Sequence, residues 1–215
     1  MPTATTFSSL QSTLRKYIER GHPADVSVYE MLPELINIAE RNIAADLNVT
    51  GIRSVVTSAM VAGTSIYAKP EGWRRTVSIN YGGGAGLDQR TGLFPRSYDY
   101  CRTCWPDDTE TGVPKFYSDY NDEYMLVAPT PDAAYPFEMI YYSKPPLLDS
   151  SNETNWITES WPQLLLYASL REIAPFMKED ARMATWEAMY EKLKGTITGD
   201  DLKKVVDRSA TRQEA

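Results

Sequence analysis

Residues 155–193 read NWITESWPQLLLYASLREIAPFMKEDARMATWEAMYEKL. The reading of this stretch decides the fold. Pro162 suits the first turn of a helix, where its missing N–H has no intrahelical partner. Leu166, Leu170, Ile173, Ala174 and Met177 then recur every three or four residues and form one apolar stripe. Pro175 kinks or ends that helix near Met177. Glu179 or Asp180 can cap a second helix, in which Met183, Trp186, Tyr190 and Leu193 repeat the spacing. Gly195 offers a C-terminal stop. A short turn between two such helices makes an antiparallel pair. Trp156, Trp161, Tyr167, Phe176, Trp186 and Tyr190 are expected to supply its core. A last, weaker helix is expected over residues 200–208, with Leu202, Val205 and Val206 on one side.

The other end of the chain is also helical. Ser8 or Ser9 can cap a helix bearing Leu10, Leu14, Tyr17 and Ile18, stopped by Gly21. A second helix is expected from about Ser27 to Leu47, with Leu32, Leu35, Ile36, Ile38, Ala39 and Ile43 inward. Glu34, Glu40, Arg41 and Asp46 read as its far side, and Pro33 as a residue of its first turns.

Between these ends the pattern changes. β-Branched runs occupy residues 52–59 and 61–68, and residues 75–81 alternate. Residues 115–120 and 124–128 flank a turn at Asn121-Asp122-Glu123. A Pro-rich turn at 129–132 precedes residues 137–143, where Phe137, Met139 and Tyr141 share a face. This predicts an antiparallel meander, interrupted by long excursions within residues 82–114.

The expected fold class is α+β, a helical bundle formed by the N- and C-terminal helices with an inserted antiparallel β domain. The segments are residues 1–49 (N-terminal helices), 50–146 (β domain with long loops), 147–195 (helical hairpin) and 196–215 (tail or short helix). The length of 215 residues and the hydrophobic fraction of 42% suit such a domain with an insertion. A net charge of −7 argues against tight wrapping of nucleic acid, which needs clustered Lys and Arg. The opening residues MPTATTFSSLQS carry no basic or apolar signal region, and the apolar cluster at Leu164–Leu166 is too short to span a bilayer. Synthesis in the cytoplasm and no membrane association are expected.

The motifs that bear chemistry each fall short. Cys101-Arg-Thr-Cys104 offers two thiols, and the single histidine, His22, is remote, so a four-ligand zinc site is not assembled. Two ordinary thiols, or a disulfide under oxidising conditions, remain open. Tyr81-Gly-Gly-Gly-Ala-Gly86 lacks the Lys-Ser/Thr of a phosphate loop and the glycine spacing of a dinucleotide fingerprint. Asp107-Asp-Thr-Glu-Thr-Gly112 has Ser118 where a calcium loop places its bidentate Glu. Trp73-Arg74-Arg75 fits a strand end that packs its tryptophan and shows its arginines to solvent or a partner, and could also stack bases. No catalytic residue, cofactor or metal is expected. Among 29 carboxylates a hydrolytic pair is the least favoured alternative.

Several of these pieces stand together in a familiar order. Tyr124-Met-Leu-Val-Ala-Pro129-Thr-Pro131 is followed by Phe137-Glu-Met-Ile-Tyr-Tyr142, Lys144-Pro-Pro-Leu147 and Asn155-Trp-Ile157. Then come Leu165-Leu-Tyr-Ala168, Ala174-Pro-Phe-Met177, Lys178-Glu-Asp-Ala-Arg182 and Trp186-Glu-Ala-Met-Tyr190. The series resembles the C-terminal signature of tailed-bacteriophage head-to-tail adaptor (connector, or neck) proteins. Leu32-Pro-Glu-Leu-Ile36-Asn-Ile-Ala-Glu40 is similar to that family's first long helix. The resemblance implies a virion protein at the capsid–tail junction, with the portal protein and tail or nozzle proteins as partners. It also implies a homo-oligomeric ring, twelve-membered, through which DNA passes without specific binding. The outer side of the aromatic hairpin would then be a protomer interface, and Leu202, Val205 and Val206 are candidate portal-docking residues. A non-virion assembly chaperone or binding module is the alternative.

Overall fold

The computed structural model describes residues 5–20, 23, 25–82, 89–178 and 180–210, the side chains of 50, 180 and 204–210 excepted. Two compact units divide the chain: residues 1–52 with 145–215, and residues 53–144. The fold class is α+β, as the sequence predicts.

The first unit is helical. Helix α1, Phe7–Ile18, is capped by Thr6, whose side chain accepts from the Ser9 N–H, while the Ser9 hydroxyl bonds back to Thr6. The cap lies ahead of the expected serines because Ser9 occupies the returning position of a capping box. Phe7, Leu10, Leu14 and Ile18 are buried, whereas Tyr17 is partly exposed. Glu19, at φ 54°, ends the helix, and Gly21 lies outside the described residues. Glu153 anchors the start of α1, accepting from the N–H and hydroxyl of Ser8 at 3.0 and 2.9 Å.

Helix α2, Val26–Asp46, buries Val28, Leu32, Leu35, Ile36, Ala39 and Ile43. Two expectations fail in it. Pro33 is its eighth residue, inside the helix, and removes the N–H that the Tyr29 carbonyl would accept from. Glu40, read as solvent-facing, is fully buried. Position 40 lies four residues after Ile36 and three before Ile43, on the inward stripe. Its carboxylate accepts from the Leu148 N–H at 2.9 Å and from the Asn155 side-chain amide.

Asn155 also caps the short helix α4, Trp156–Ser160, in a capping box with Thr158. Helix α3, Tyr98–Cys104, belongs to the other unit. Helix α5, Pro162–Met177, starts at the expected proline and ends at Lys178, φ 59°. Its buried residues are Leu164, Leu165, Ala168, Ser169, Leu170, Ile173 and Ala174, a stripe rotated from the expected one, with Leu166 only half-buried. Helix α6, Asp180–Ala210, runs 31 residues. Gly195 does not stop it, and residues 200–208 continue it rather than form a separate helix. A glycine inside a helix costs about 1 kcal/mol. Burial of Tyr190 and, beyond the glycine, of Ile197 on one face keeps the helix growing through it.

The second unit is a mixed sheet. Its elements are β1 (Arg53–Ala59), β2 (Ile66–Ala68), β3 (Trp73–Gly82), β4 (Arg90–Pro95), α3 (Tyr98–Cys104), β5 (Thr111–Gly112), β6 (Phe116–Asp119), β7 (Tyr124–Ala128), β8 (Thr130–Pro131) and β9 (Pro136–Ser143). The strand order is β1-β9-β3-β4-β6-β7-β2, with a small β5-β8 pair. A simple antiparallel meander is therefore not formed. The β4–β6 pair is parallel, which demands a crossover, and α3 lies in that crossover. Residues 61–65, expected as strand, form a turn with Gly63 at φ 75°. The core gathers Met60, Ile79, Tyr81, Leu93, Tyr117, Met125, Val127, Phe137, Met139 and Tyr141. The three inward residues of β9 are those the alternation predicts.

Candidate interaction surfaces

The aromatic residues of the hairpin occupy three kinds of position. Tyr190 is fully buried; its hydroxyl donates to Asp46 at 3.0 Å, and the Arg171 guanidinium lies 4.2 Å from its ring centre. Burial and the Asp46 carboxylate push its pKa up. Burial alone would raise Asp46, but bonds from Lys194 and Tyr190 outweigh it and hold that carboxyl below its usual range. Tyr190 is thus a core residue. Trp186 is half-buried, stacked on Tyr167 at 6.0 Å and edge-on to Tyr17 at 6.0 Å, so one ring ties α1, α5 and α6. Arg171 and Glu187 pair across α5 and α6 at 2.6 Å. Phe176, Met183 and Met189 are partly exposed, at 40–43%, and give the hairpin apolar surface.

Trp156 and Trp161 line a cavity of about 280 Å³ with Ile197 and Asp200. Gly51 sits against Trp156 so closely that an added Cβ would lie 2.6 Å from the indole. Just beyond, Leu202 is 62% exposed on α6. The side chains of Val205 and Val206 lie outside the described ones.

The sheet unit holds a group that reading residue by residue only half reveals. Arg74 and Arg75 stand out beside Trp73 in the sequence. The register adds Arg53, which like Arg75 pairs with Tyr142 of β9. The guanidinium carbons of Arg53, Arg74 and Arg75 lie 5.3, 5.8 and 5.0 Å from the Tyr142 ring centre. Arg53 also donates to the Tyr142 hydroxyl at 3.1 Å. Burial, with Arg75 alongside, holds Arg74 below its ordinary pKa. Trp73 packs against the sheet core, as its strand-end reading predicts.

Both cysteines are free thiols. Cys101, on α3, packs with Leu126 and Ala128, flanked by Trp105 and Phe116. Burial, then Cys104, pushes its thiol pKa up, which makes it a poor nucleophile. Its role is to seat the crossover helix on the sheet. Asp107 is taken up by the N–H and hydroxyl of Thr109, and Asp108 by Arg102 and Ser65. The glycines at 83–86 and His22 lie outside the described residues. Among the described residues no three His, Cys, Asp or Glu side chains are grouped to hold a metal ion. No helix among them is long and apolar enough to cross a membrane.

The described chain also offers surface: partly exposed apolar side chains on the hairpin and arginines packed over Tyr142. The chain belongs to the SU10 adaptor protein family, a family of phage head-to-tail adaptors, whose model matches residues 5–213. No curated protein matches it. It is thus a phage adaptor protein, of a structural class rather than an enzyme class. Membership implies contact with portal and tail proteins and a place in the virion.

Proposed function

We propose that copies of this chain close into a ring beneath the portal, joining the capsid vertex to the tail and lining the passage for DNA. The family match across residues 5–213 carries this reading. The net charge of −7 supports it, because an acidic wall repels phosphate and lets DNA slide. Ring copies match the portal's rotational symmetry, twelve by family resemblance. The end of α6 docks on the portal. Leu202, an apolar side chain left largely in water, supports that assignment. The outer side of the α5–α6 hairpin contributes to contacts between protomers.

Electron microscopy of the chain mixed with the portal protein of the same phage tests this. The expected result is an added ring with portal symmetry, and a bare, intact portal overturns the reading. Removing residues 199–215 is expected to abolish docking. Tyr190 and Ile197, which hold α6 in place, are retained, so the melting temperature should change little.

A further inference from the structure

We propose that Arg53 and Arg75, set around Tyr142 beside Val55, Val77 and Ile140, take carboxylates from a neighbouring copy of this chain. The inference rests on the ring reading and names the contact that closes it.

Phe137, Met139 and Tyr141 of β9 point into the core, so Glu138, Ile140 and Tyr142 point to the opposite face. The register sets Arg53, Tyr142 and Arg75 in one row of that face and Val55, Ile140 and Ser78 in the next. Val77 stands in the bulge between Thr76 and Ser78. Val55 is 59% exposed and Val77 37%. Arg53 and Arg75 are exposed, and among the described residues neither forms an ion pair. The face thus reads as an arginine end, packed over the buried Tyr142, next to an apolar row.

Three points select the occupant. Tyr142 is buried beneath the guanidiniums, so the arginines are what the face presents; arginine beside an apolar centre is typical of protein–protein hot spots, and an apolar row gives a phosphate backbone nothing to hold. Planar guanidiniums held on a ring present donors that suit a carboxylate in a two-bond fork. The chain itself carries 29 acidic against 22 basic residues, so another copy is a source of such carboxylates. The patch cannot meet its own image, because that would bring four or more guanidiniums together. The contact is therefore between two different surfaces, which is the kind that closes into a ring rather than a two-fold dimer.

The test is Arg53→Glu/Arg75→Glu, with Arg74 left in place and Arg53→Lys/Arg75→Lys as the conservative partner. Both side chains are exposed but pack over Tyr142, and Arg53 bonds its hydroxyl, so a modest fall in melting temperature is expected and the micrographs are taken well below it. In parallel micrographs with portal, the wild type is expected to give complete rings, and the charge-reversed variant at least about tenfold fewer, the equivalent of about 1.4 kcal/mol. The lysine variant should recover part of the loss. Wild-type ring numbers in the charge-reversed variant overturn the proposal, including the case in which that variant instead loses affinity for duplex DNA. Should the wild type itself form no ring, the ring reading fails, and sedimentation of the free chain decides the contact. Self-association that weakens with salt and vanishes in the charge-reversed variant supports the contact, and a wild type that stays monomeric at every concentration overturns it.

Discussion

Among the described residues, each unit holds a buried charged side chain, and the two are satisfied in opposite ways. In the helical unit, Glu40 is held by neutral donors, the Leu148 N–H and the Asn155 amide. In the sheet unit, the Lys69 side chain is 1% exposed and meets a full counter-charge, Asp119, at 3.0 Å. It also donates to the Asn121 carbonyl at 2.6 Å and lies 3.4 Å from the Trp73 ring centre. The Leu148 N–H has Glu40 as its acceptor, and the Asn155 amide has only the Pro146 carbonyl, at 3.3 Å, besides. The Lys69 site depends on a partner whose own side chain is 47% exposed. A buried charge is thus fragile in proportion to what its removal leaves unsatisfied, and not to its own burial.

That contrast can be broken by substitution. The largest effect is expected from Glu40→Ala, which strands the Leu148 N–H, leaves the Asn155 amide with only the longer bond to the Pro146 carbonyl, and opens a cavity. Each stranded buried group costs about 1–3 kcal/mol, so a loss of about 3 kcal/mol should appear as a lower denaturant midpoint. For Lys69 the asymmetry is sharper. Asp119→Ala leaves a buried ammonium and is expected to cost about 1–2 kcal/mol, discounted for the exposure of Asp119. Lys69→Met removes the charge, keeps the contact with Trp73 and leaves Asp119 to water, so it should cost under about 0.5 kcal/mol. Equal losses for these two variants would break the comparison.

The smallest effect is a pH dependence. Burial raises the Glu40 pKa, against the opposing bonds from Leu148 and Asn155. Between the ordinary glutamate value and the raised one, the folded chain binds a proton that the unfolded chain has released. Stability from this group is therefore full below the unfolded pKa and falls as pH rises through the folded one. Glu40→Gln removes the titration, so wild type should gain on the variant as the pH is lowered from neutral towards the unfolded value. A constant difference between their denaturant midpoints would show that Glu40 does not titrate there.

The legibility of the sequence followed the range of the forces. Helices α2 and α5 came within a residue or two of their expected limits, because an apolar stripe and a proline in the first turn are local signals. Gly195 is also a local signal, but it was overridden by Ile197, whose burial depends on tertiary packing. The parallel β4–β6 pairing was invisible, since nothing in residues 82–114 announces which strand the chain will meet after α3. The candidate sites divide in the same way. The aromatic hairpin could be read off, and so could Arg74 and Arg75. Arg53 could not, because only strand register brings it to Tyr142, 89 residues downstream. Glu40 lay on the inward stripe all along, and its charge disguised its position.

The anchoring of α1 by Glu153 carries a further consequence for the order of synthesis. The acceptor for Ser8 lies 145 residues downstream of it, and the helical unit as a whole is drawn from both ends of the chain. Helices α1 and α2 therefore leave the ribosome with their apolar faces uncovered. Residues 53–144 emerge complete before α5 and α6 exist. The sheet unit can form while the tunnel still holds the residues that will close the helical one, so α1 and α2 spend most of translation waiting for their partners.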